Sequence, residues 1–404
     1  MRTIAFYLPQ FHAIPENDVW WGEGFTEWVN VKQAKPLFEG HYQPRIPLGE
    51  NYYNLLDPSV MQWQVDLAKK YGVYGFCFYH YWFDGHLLLE KPVEQFLSRP
   101  ELDLPFCICW ANEHWTKAWV DKQQQILIAQ RYGGPEEWKQ HFDYLLPYFK
   151  DPRYICNNGK PLVVIYRAEI IDCLNEMLDY WNELAIQNGF TGLDFAHQHI
   201  AFDLKEDKDD SRFTFNIEYQ PAYAINDLAN GGYKFLRDIK TKIVSTMDVI
   251  GLNLTEKHPG KLRTAVYQKI WDAVRNMHPQ GLIVQSYDDI WQAALSRCPA
   301  NEKCLPGAFV GWDNTPRHKE RGRVFTDATP EKFQKYMSQQ IKRTRTEYHT
   351  DMLFLFAWNE WAEGGYIEPD EKFGYGYLEA LRTALIENGE FPWGEEEHQT
   401  ITEA

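Results

Sequence analysis

The sequence predicts an α/β fold, a (β/α)8 barrel of the TIM type with long insertions in its βα loops. Eight apolar runs have the length and composition of buried parallel strands. Amphipathic helical segments separate them, which is typical of βα units. At 404 residues, the chain has the length of one such barrel with insertions. The expected strands are 3–9, 73–79, 105–110, 161–166, 192–200, 213–218, 307–312 and 352–358.

Several helix ends carry recognisable signals. Asp57 stands before Pro58, as an N-cap residue does, and Gly72 is placed to end that helix. Thr329 and Pro330 predict the start of another helix in the same way.

Two stretches exceed minimal βα loops, namely residues 10–56 after the first strand and residues 222–306 before the seventh. Long loops at strand C-termini build the active site of a barrel, so these insertions should wall a cleft. We expect one domain over residues 1–390 and a C-terminal tail over residues 391–404.

Composition narrows the class of ligand. The net charge of −16 argues against a nucleic-acid backbone or an anionic membrane surface as partner. Aromatic residues reach 16%, and many of them stand beside polar residues. Trp and Tyr offer a flat apolar face with a polar atom, which suits sugar rings, although roughly half of them should simply fill the core.

Cysteine usage and hydropathy bear on location. Seven cysteines, of which Cys77, Cys107 and Cys109 fall in expected strands, fit reduced core thiols in the cytoplasm. Cys298 and Cys304 could pair if the protein were exported. The sequence contains neither a signal-peptide pattern nor an 18-residue apolar span. We expect a cytoplasmic protein without a membrane span, or a periplasmic one if a signal peptide has been removed.

The segment FAWNEWAEGGYIEPD, residues 356–370, is the most informative part of the chain. Glu360 and Glu363 follow the last apolar strand directly. Glycosidic bond cleavage usually needs two carboxyl groups, one of them protonated. A helical turn would put both side chains on one face, whereas a continuing strand would put them on opposite faces. The alternative is that both are solvated loop acids.

Polar and aromatic residues also cluster at the ends of the other expected strands. Strand C-ends meet at one mouth of a barrel, where active sites of this fold lie. For any one of these residues, a structural hydrogen bond explains its presence equally well. The expected binding residues are His12, Trp28, His80, Trp110, Asn112, Glu113, Tyr166, Glu218, Trp312, Asp313, Asn359 and Trp361.

Further carboxylates accompany the pair. Glu113 could raise the pKa of a neighbouring carboxyl by charge repulsion, or it could hold sugar hydroxyls. Glu23 and Glu27 in the first insertion are weaker candidates of the same kind.

No metal or cofactor is expected. His197 and His199 share one face of a strand, but no third ligand follows at a zinc-like spacing. The sequence has no EF-hand, HExxH, P-loop or G-x-S-x-G pattern, and no G-x-G-x-x-G after a strand.

Residues 358–364, Trp-Asn-Glu-Trp-Ala-Glu-Gly, resemble the catalytic segment of family 99 glycoside hydrolases, the endo-α-mannosidases. In that family, His is usual where Ala362 stands. Other blocks resemble the WbsX family, found with bacterial polysaccharide genes and often labelled glycosyltransferase or family-99-like. These blocks are YLPQFH at 7–12, WGEGFTEW at 21–28, HYQPR at 41–45, CWANEHW at 109–115 and GWDNTPR at 311–317.

This resemblance implies a hydrolase that cleaves a bacterial oligosaccharide or polysaccharide with retention of configuration. Glu360 would deprotonate the sugar 2-hydroxyl to give a 1,2-anhydro sugar, and Glu363 would act as general acid and then base. Two alternatives stay open. A glycosyltransferase would need a phosphate cradle, for which we find no motif. A non-catalytic carbohydrate-binding protein would not need the two glutamates.

Overall fold

Nine parallel strands form the expected barrel. The structure, a computed structural model, describes residues 1–116, 126–200, 210–226, 228 and 281–392. The order around the barrel is β7-β6-β5-β4-β3-β2-β1-β9-β8. The strands are β1 (Arg2–Tyr7), β2 (Gly75–Phe83), β3 (Phe106–Trp110), β4 (Lys160–Ile165), β5 (Asp194–His199), β6 (Phe213–Glu218), β7 (Cys304–Leu305), β8 (Gly307–Phe309) and β9 (Met352–Phe356).

The segment around Pro306 closes the ring. Strand β7 pairs with β6, and β8 pairs with β9, so two short strands share one barrel position. Proline cannot donate to a ladder, which explains the division. Its carbonyl still accepts the backbone N–H of Phe354 at 3.1 Å. The eight predicted strands are therefore confirmed, with the seventh shortened to Gly307–Phe309, and β7 is an additional strand that lies within the expected insertion 222–306.

Helices surround the barrel, and the predicted helix ends are confirmed. The Asp57 carboxylate accepts the Ser59 backbone N–H, and Gly72 ends that helix in the left-handed conformation. The Thr329 hydroxyl likewise accepts the Lys332 backbone N–H. The helices are α1 (Pro15–Trp21), α2 (Glu27–Gln33), α3 (Pro58–Tyr71), α4 (Lys91–Leu97), α5 (Pro135–Phe149), α6 (Leu174–Gln187), α7 (Tyr287–Leu295), α8 (Thr315–His318), α9 (Pro330–Thr346) and α10 (Gly376–Glu387).

Shorter elements lie outside the barrel. Two-residue to four-residue strands are His86–Leu88, Trp115–Thr116, Ile126–Ile128, Cys156–Asn157, Ile283–Ser286 and Arg323–Thr326. Single 3-10 turns are Leu48–Glu50, Ala168–Ile170, Lys319–Arg321 and Trp361–Glu363.

Aromatic side chains fill much of the barrel interior. The Phe6 ring lies 5.7 Å from Tyr79, 5.2 Å from Tyr219 and 5.5 Å from Phe354, between ring centroids. These contacts join strands β1, β2 and β9 with the residue that follows β6. Their geometry is stacked, edge-to-face or tilted, as aromatic pairs prefer. Part of the high aromatic content is therefore core packing.

The first insertion packs against the segment that follows β9. The Leu48 backbone N–H donates to Pro369, and the Glu371 N–H donates to Ile46. The insertion also contributes helices α1 and α2 to the C-terminal mouth. Residues 227 and 229–280 of the second expected insertion lie outside the described residues, as do residues 393–404 of the expected tail. No helix in the described ranges is both long and apolar enough to cross a bilayer.

Candidate active site

The chain turns helically after β9, so both glutamates of the segment lie on one side. Residues Trp361–Glu363 form a 3-10 turn, and the Glu360 carboxylate accepts the backbone N–H of Glu363 at 3.1 Å. Gly364 then adopts a φ of +63°, a conformation that side chains disfavour. This cap fixes the Glu360 side chain in place before any ligand binds.

Arg317 joins the two glutamates to a third. Its Nη1 lies 2.8 Å from Glu363 Oε1, and its Nη2 lies 3.3 Å from Glu360 Oε1. The same Nη2 lies 3.2 Å from Glu27 Oε2 at the start of α2. The exposed fraction of the side chain is 5% for Arg317, 4% for Glu360 and 22% for Glu363. Three carboxyl groups thus share one buried guanidinium.

Burial controls protonation in this cluster. It raises the pKa of Glu360 and of Glu363, because a low-dielectric site disfavours the charged form. The guanidinium of Arg317 opposes that rise for both groups. The negative charges of Glu363 and Glu27 raise the pKa of Glu360 further. The site therefore favours a proton on the pair near neutral pH, which is what general acid catalysis requires.

Two asparagines hold the strand ends that carry glutamates. Asn359 accepts the Leu8 backbone N–H at 2.8 Å and donates to the Leu8 carbonyl at 3.0 Å. Asn112 makes the same two bonds with the backbone of Arg167, both at 2.8 Å. Each amide continues the parallel ladder to the next strand of the barrel, β1 and β4 respectively. The Asn-Glu pairs seen in the sequence are thus one structural device used twice.

Glu113 lies at the same mouth as the glutamate pair. It forms an ion pair with Arg167, and its side chain is 41% exposed. The charges of Glu113 and Glu363 both raise the pKa of Tyr166, after burial as the main cause. Tyr166 is therefore close enough to both carboxylates for their charges to act on it.

Tyr81 on β2 is a neighbour that sequence reasoning missed. The Gln10 amide donates to its hydroxyl at 2.8 Å. Burial raises the pKa of Tyr81, and the charges of Glu360 and Arg317 act on it. Arg317 was also missed, although it belongs to the GWDNTPR block. Buried carboxylates need a cationic partner, and that requirement was the available signal.

His80 and Trp110 are not brought to the mouth. His80 Nε2 lies 2.9 Å from His141 Nε2 on α5, and the Trp110 ring packs 6.1 Å from Trp181 on α6. Side chains alternate along a strand, so their neighbours Tyr79 and Cys109 face the interior instead. These two expected residues therefore pack against the helix layer.

Asp313, another expected residue, supports the backbone that carries Glu363. Asp313 is fully buried and accepts hydrogen bonds from Gln43 and Thr315, and its carboxylate lies 2.9 Å from His41 Nε2. Its backbone N–H donates to the Glu363 carbonyl at 2.6 Å. It therefore ties the segment after β8 to the segment after β9.

Three other expected residues, Trp28, Trp312 and Glu218, contact groups outside the Arg317 cluster. The Trp28 ring packs 5.5 Å from Trp361 in the interior. Trp312 packs against Phe356 on β9. Glu218 accepts a hydrogen bond at 2.8 Å from Tyr348, which follows α9.

His12 is buried. Burial lowers its pKa to about 4, so the ring is neutral. The His197 and His199 rings are 5.4 Å apart. In the part of the chain that the structure describes, no three His, Cys, Asp or Glu side chains are placed to hold a metal ion.

Comparison with known proteins identifies the family. The family model described as "Glycosyltransferase WbsX" matches residues 3–381. The chain belongs to the WbsX family. The uncharacterized protein WxcX from Xanthomonas campestris pv. campestris is 32% identical over 385 residues, covering 95% of this chain and 49% of that protein. The chain thus spans about half the length of the curated relatives it matches.

Solved structures show the fold. The GH99 endo-alpha-mannosidase from Bacteroides thetaiotaomicron is 14% identical, with a TM-score of 0.52 over 100% of this chain and 99% of that one. A structure titled glycoside hydrolase-like protein gives a TM-score of 0.52 at 12% identity, over 95% and 93% of the two chains. The chain therefore has the same barrel fold as these structures.

Glu368 holds the segment after β9, which carries Glu360 and Glu363, through hydrogen bonds. Its carboxylate accepts hydrogen bonds from Tyr53 Oη at 2.8 Å, Trp361 Nε1 at 2.7 Å and Gln64 Nε2 at 2.7 Å. All three donors are neutral. Burial raises the pKa of Glu368 to about 7. This carboxyl group holds the turn that carries the glutamate pair.

Replacing Arg317 by Met should destabilise the fold in a pH-dependent way. The change leaves buried carboxylates without a cation, which costs about 3–5 kcal/mol of unfolding free energy at about pH 8. The loss should be smaller at about pH 5.5. There, protonation neutralises Glu360 and Glu363, whose pKa burial already raises. Urea unfolding at both pH values measures the difference.

Arg212→Met is the control, because Arg212 pairs with Asp179 at the surface. That loss should stay below about 1 kcal/mol at either pH. An equal loss for Arg317→Met at both pH values would contradict a role for Arg317 in charge compensation.

Glu368→Gln removes a group whose folded pKa lies above its unfolded value. The ionised form is disfavoured in the fold, so wild-type stability falls as pH rises from about 4.5 to about 7. The glutamine variant lacks this dependence. Its stability deficit relative to the wild type should therefore shrink by about 2 kcal/mol between about pH 5.5 and about pH 8. Parallel urea titrations test this, and a deficit that grows with pH would contradict it.

Proposed function

We propose that this chain is a glycoside hydrolase that cleaves a bacterial oligosaccharide or polysaccharide. The buried pair Glu360 and Glu363, held around Arg317 at the barrel mouth, is the observation that carries the proposal. Such a pair can protonate a leaving oxygen and activate an attacking group in one site. The family 99 barrel of the solved relatives supports the same chemistry.

The two glutamates take different roles. Glu360 assists the sugar 2-hydroxyl, which attacks the anomeric carbon and releases the leaving group as a 1,2-anhydro sugar forms. Glu363 gives its proton to the leaving oxygen and then takes one from water, which opens the anhydro ring while Glu360 returns the proton of the 2-hydroxyl to its oxygen. The greater exposure of Glu363 suits contact with a departing sugar and with water.

The protein alone does not decide which of the two glutamates carries the proton. Burial raises the pKa of both glutamates, and Arg317 contacts both carboxylates. Sugar hydroxyls that donate to Glu360 would lower its pKa, because hydrogen bonds to a carboxylate favour its charged form. Substrate binding is thus needed to place the proton on Glu363.

Glycosyl transfer is the second candidate, and the description of the family model favours it. Transfer would use the same mouth with a sugar in place of water as acceptor. Incubation with a polysaccharide, with and without sugar nucleotides, separates the two. Hydrolysis needs no nucleotide, and NMR of the first anomer released shows whether configuration is retained.

Glu360→Gln and Glu363→Gln should each lower kcat/KM by about 10²–10⁴-fold. Gln keeps the shape of Glu and can still accept the Glu363 N–H at position 360, but it cannot transfer a proton. A substrate with a very good leaving group should partly rescue Glu363→Gln, because the leaving oxygen then needs less protonation. It should not rescue Glu360→Gln, whose defect lies in the attacking group.

Glu183→Gln, an exposed position on α6, is the control and should keep full activity. If the substrate with a very good leaving group rescues Glu360→Gln instead, Glu360 is the general acid and Glu363 assists the 2-hydroxyl. Near-normal hydrolysis by both variants, or activity only with a sugar nucleotide, would contradict the hydrolase proposal.

A further inference from the structure

Glu27 is a buried carboxylate that the mechanism above does not use. It is the first residue of α2, in the insertion after β1, and its side chain is only 6% exposed. Glutamate is almost never buried without a partner. The partner of Glu27 is Arg317, which also contacts the two glutamates of the pair.

Glu27 and Glu360 compete for one nitrogen of Arg317. Arg317 Nη2 lies 3.2 Å from Glu27 Oε2 and 3.3 Å from Glu360 Oε1. Both distances exceed the roughly 2.7–2.9 Å of a close charge-assisted hydrogen bond. Arg317 Nη1, in contrast, lies 2.8 Å from Glu363 Oε1. The guanidinium is therefore divided, and Glu360 is stabilised less than it would be by a cation of its own.

Two further contacts hold the Glu27 carboxylate in this position. Arg317 Nε donates to Glu27 Oε2 at 3.3 Å, and the Asn30 amide donates to the same oxygen at 3.3 Å. Hydrogen bonds to a carboxylate favour its charged form. A fixed negative charge thus contacts the cation on which Glu360 and Glu363 depend.

The charge of Glu27 acts on the protonation of the pair. Burial is the main cause that raises the pKa of Glu360 and of Glu363, and the charge of Glu27 raises both further. Three carboxyl groups surround one guanidinium in this cluster. Full ionisation would leave more negative than positive charge among these four side chains, and a proton on the pair reduces that excess.

Neighbouring tyrosines do not supply this charge. Burial raises the pKa of each phenol, so all three are neutral where the glutamates titrate. They are Tyr81, Tyr166 and Tyr219.

The other titratable neighbours are neutral or paired. Burial lowers the pKa of His318 on α8, and the charge of Arg317 lowers it further, so the ring is neutral near pH 7. Asp313 contacts Glu363 through its backbone, but its carboxylate has a cation of its own, Arg45 Nη2 at 3.8 Å. Glu27 is therefore the neighbour whose charge bears directly on the shared guanidinium.

We propose that Glu27 is a positioning residue that acts through Arg317 to keep one proton on the pair Glu360 and Glu363. Its charge divides the guanidinium, so a proton on the pair is favoured over a second ionised glutamate. The inference rests on the proposed function, since it names the residue that holds the pair in the protonation state that acid and base catalysis needs.

Glu27→Gln tests this role, because glutamine keeps the shape of the side chain and still accepts from Arg317 but removes the charge. Titration by NMR of the full chain, labelled with carbon-13 at the glutamate carboxyl carbons, follows the ionisation of the pair. Glu360→Gln and Glu363→Gln assign the two signals. The apparent pKa values of the pair should each fall by about one pH unit, the lower end of the effect of a nearby charge.

Two variants serve as controls. Glu27→Asp keeps the negative charge, so its apparent pKa values should stay near those of the wild type. Glu39→Gln removes an exposed carboxylate of the same insertion and should change neither value, because solvent screens exposed charges. Unchanged values in Glu27→Gln would overturn the proposal, as would equal falls in Glu27→Gln and Glu27→Asp. If Glu27→Gln does not fold, Glu27→Asn compared with Glu27→Asp isolates the charge in the same way.

The pH dependence of kcat/KM gives a second readout that a loss of stability alone would not move. A bell-shaped profile reports the essential acid and base of the free enzyme. Glu27→Gln should move the whole profile to lower pH by about one unit, which lowers kcat/KM about tenfold on its alkaline side. Glu27→Asp should keep the wild-type profile.

The two readouts separate this proposal from the hydrolase proposal. Lower apparent pKa values in a protein that hydrolyses none of the polysaccharides offered would support the role of Glu27 and contradict the hydrolase proposal. Hydrolysis with an unmoved pH profile in Glu27→Gln would overturn the role of Glu27 and leave the hydrolase proposal standing.

Discussion

The guanidinium of Arg317 is the constraint on which the barrel mouth depends. Two buried carboxyl groups, Glu27 and Glu360, and the partly exposed Glu363 could not lie together without a cation, because unpaired charges with little access to solvent are strongly disfavoured. These four residues come from the first insertion, the segment after β8 and the segment after β9. One side chain therefore joins parts of the chain that are far apart in sequence.

A second device places the glutamates. In a parallel barrel, a strand end leaves backbone groups unpaired, and the residue that follows is free to leave the sheet. Asn359 and Asn112 fill those backbone positions with a side-chain amide. The next residue in each case is a glutamate that faces the mouth. The repeated Asn-Glu pair is thus explained by backbone hydrogen bonding first and by chemistry second.

Much of the fold could be predicted from the sequence, because apolar runs and caps are local signals. The runs at 73–79 and 105–110 became β2 and β3, and Asp57 capped its helix as expected. The additional strand Cys304–Leu305 was missed, because two apolar residues before Pro306 are too short a run to indicate a strand.

The candidate site was less predictable. Position just after a strand indicates the correct end of the barrel but not the direction of each side chain. Glu360, Glu363, Glu113 and Tyr166 converge, whereas His80 and Trp110 alternate outward to the helices. Arg317 escaped prediction because only the three-dimensional fold shows which cation meets the carboxylates.

Because Glu360 and Glu363 share the Arg317 guanidinium, either glutamate can carry the proton of the pair. Because the cluster has a single positive charge and little access to solvent, it disfavours ionisation of both Glu360 and Glu363 at once. A proton can rest on Glu360 or on Glu363 without moving Arg317, because the guanidinium contacts both carboxylates. A sugar that donates a hydroxyl to one glutamate stabilises its charge and leaves the proton on the other. In the proposed hydrolase reaction, the direction of acid and base catalysis would therefore be set when the substrate binds, and the same shared cation would serve both glutamates as they exchange protonation states.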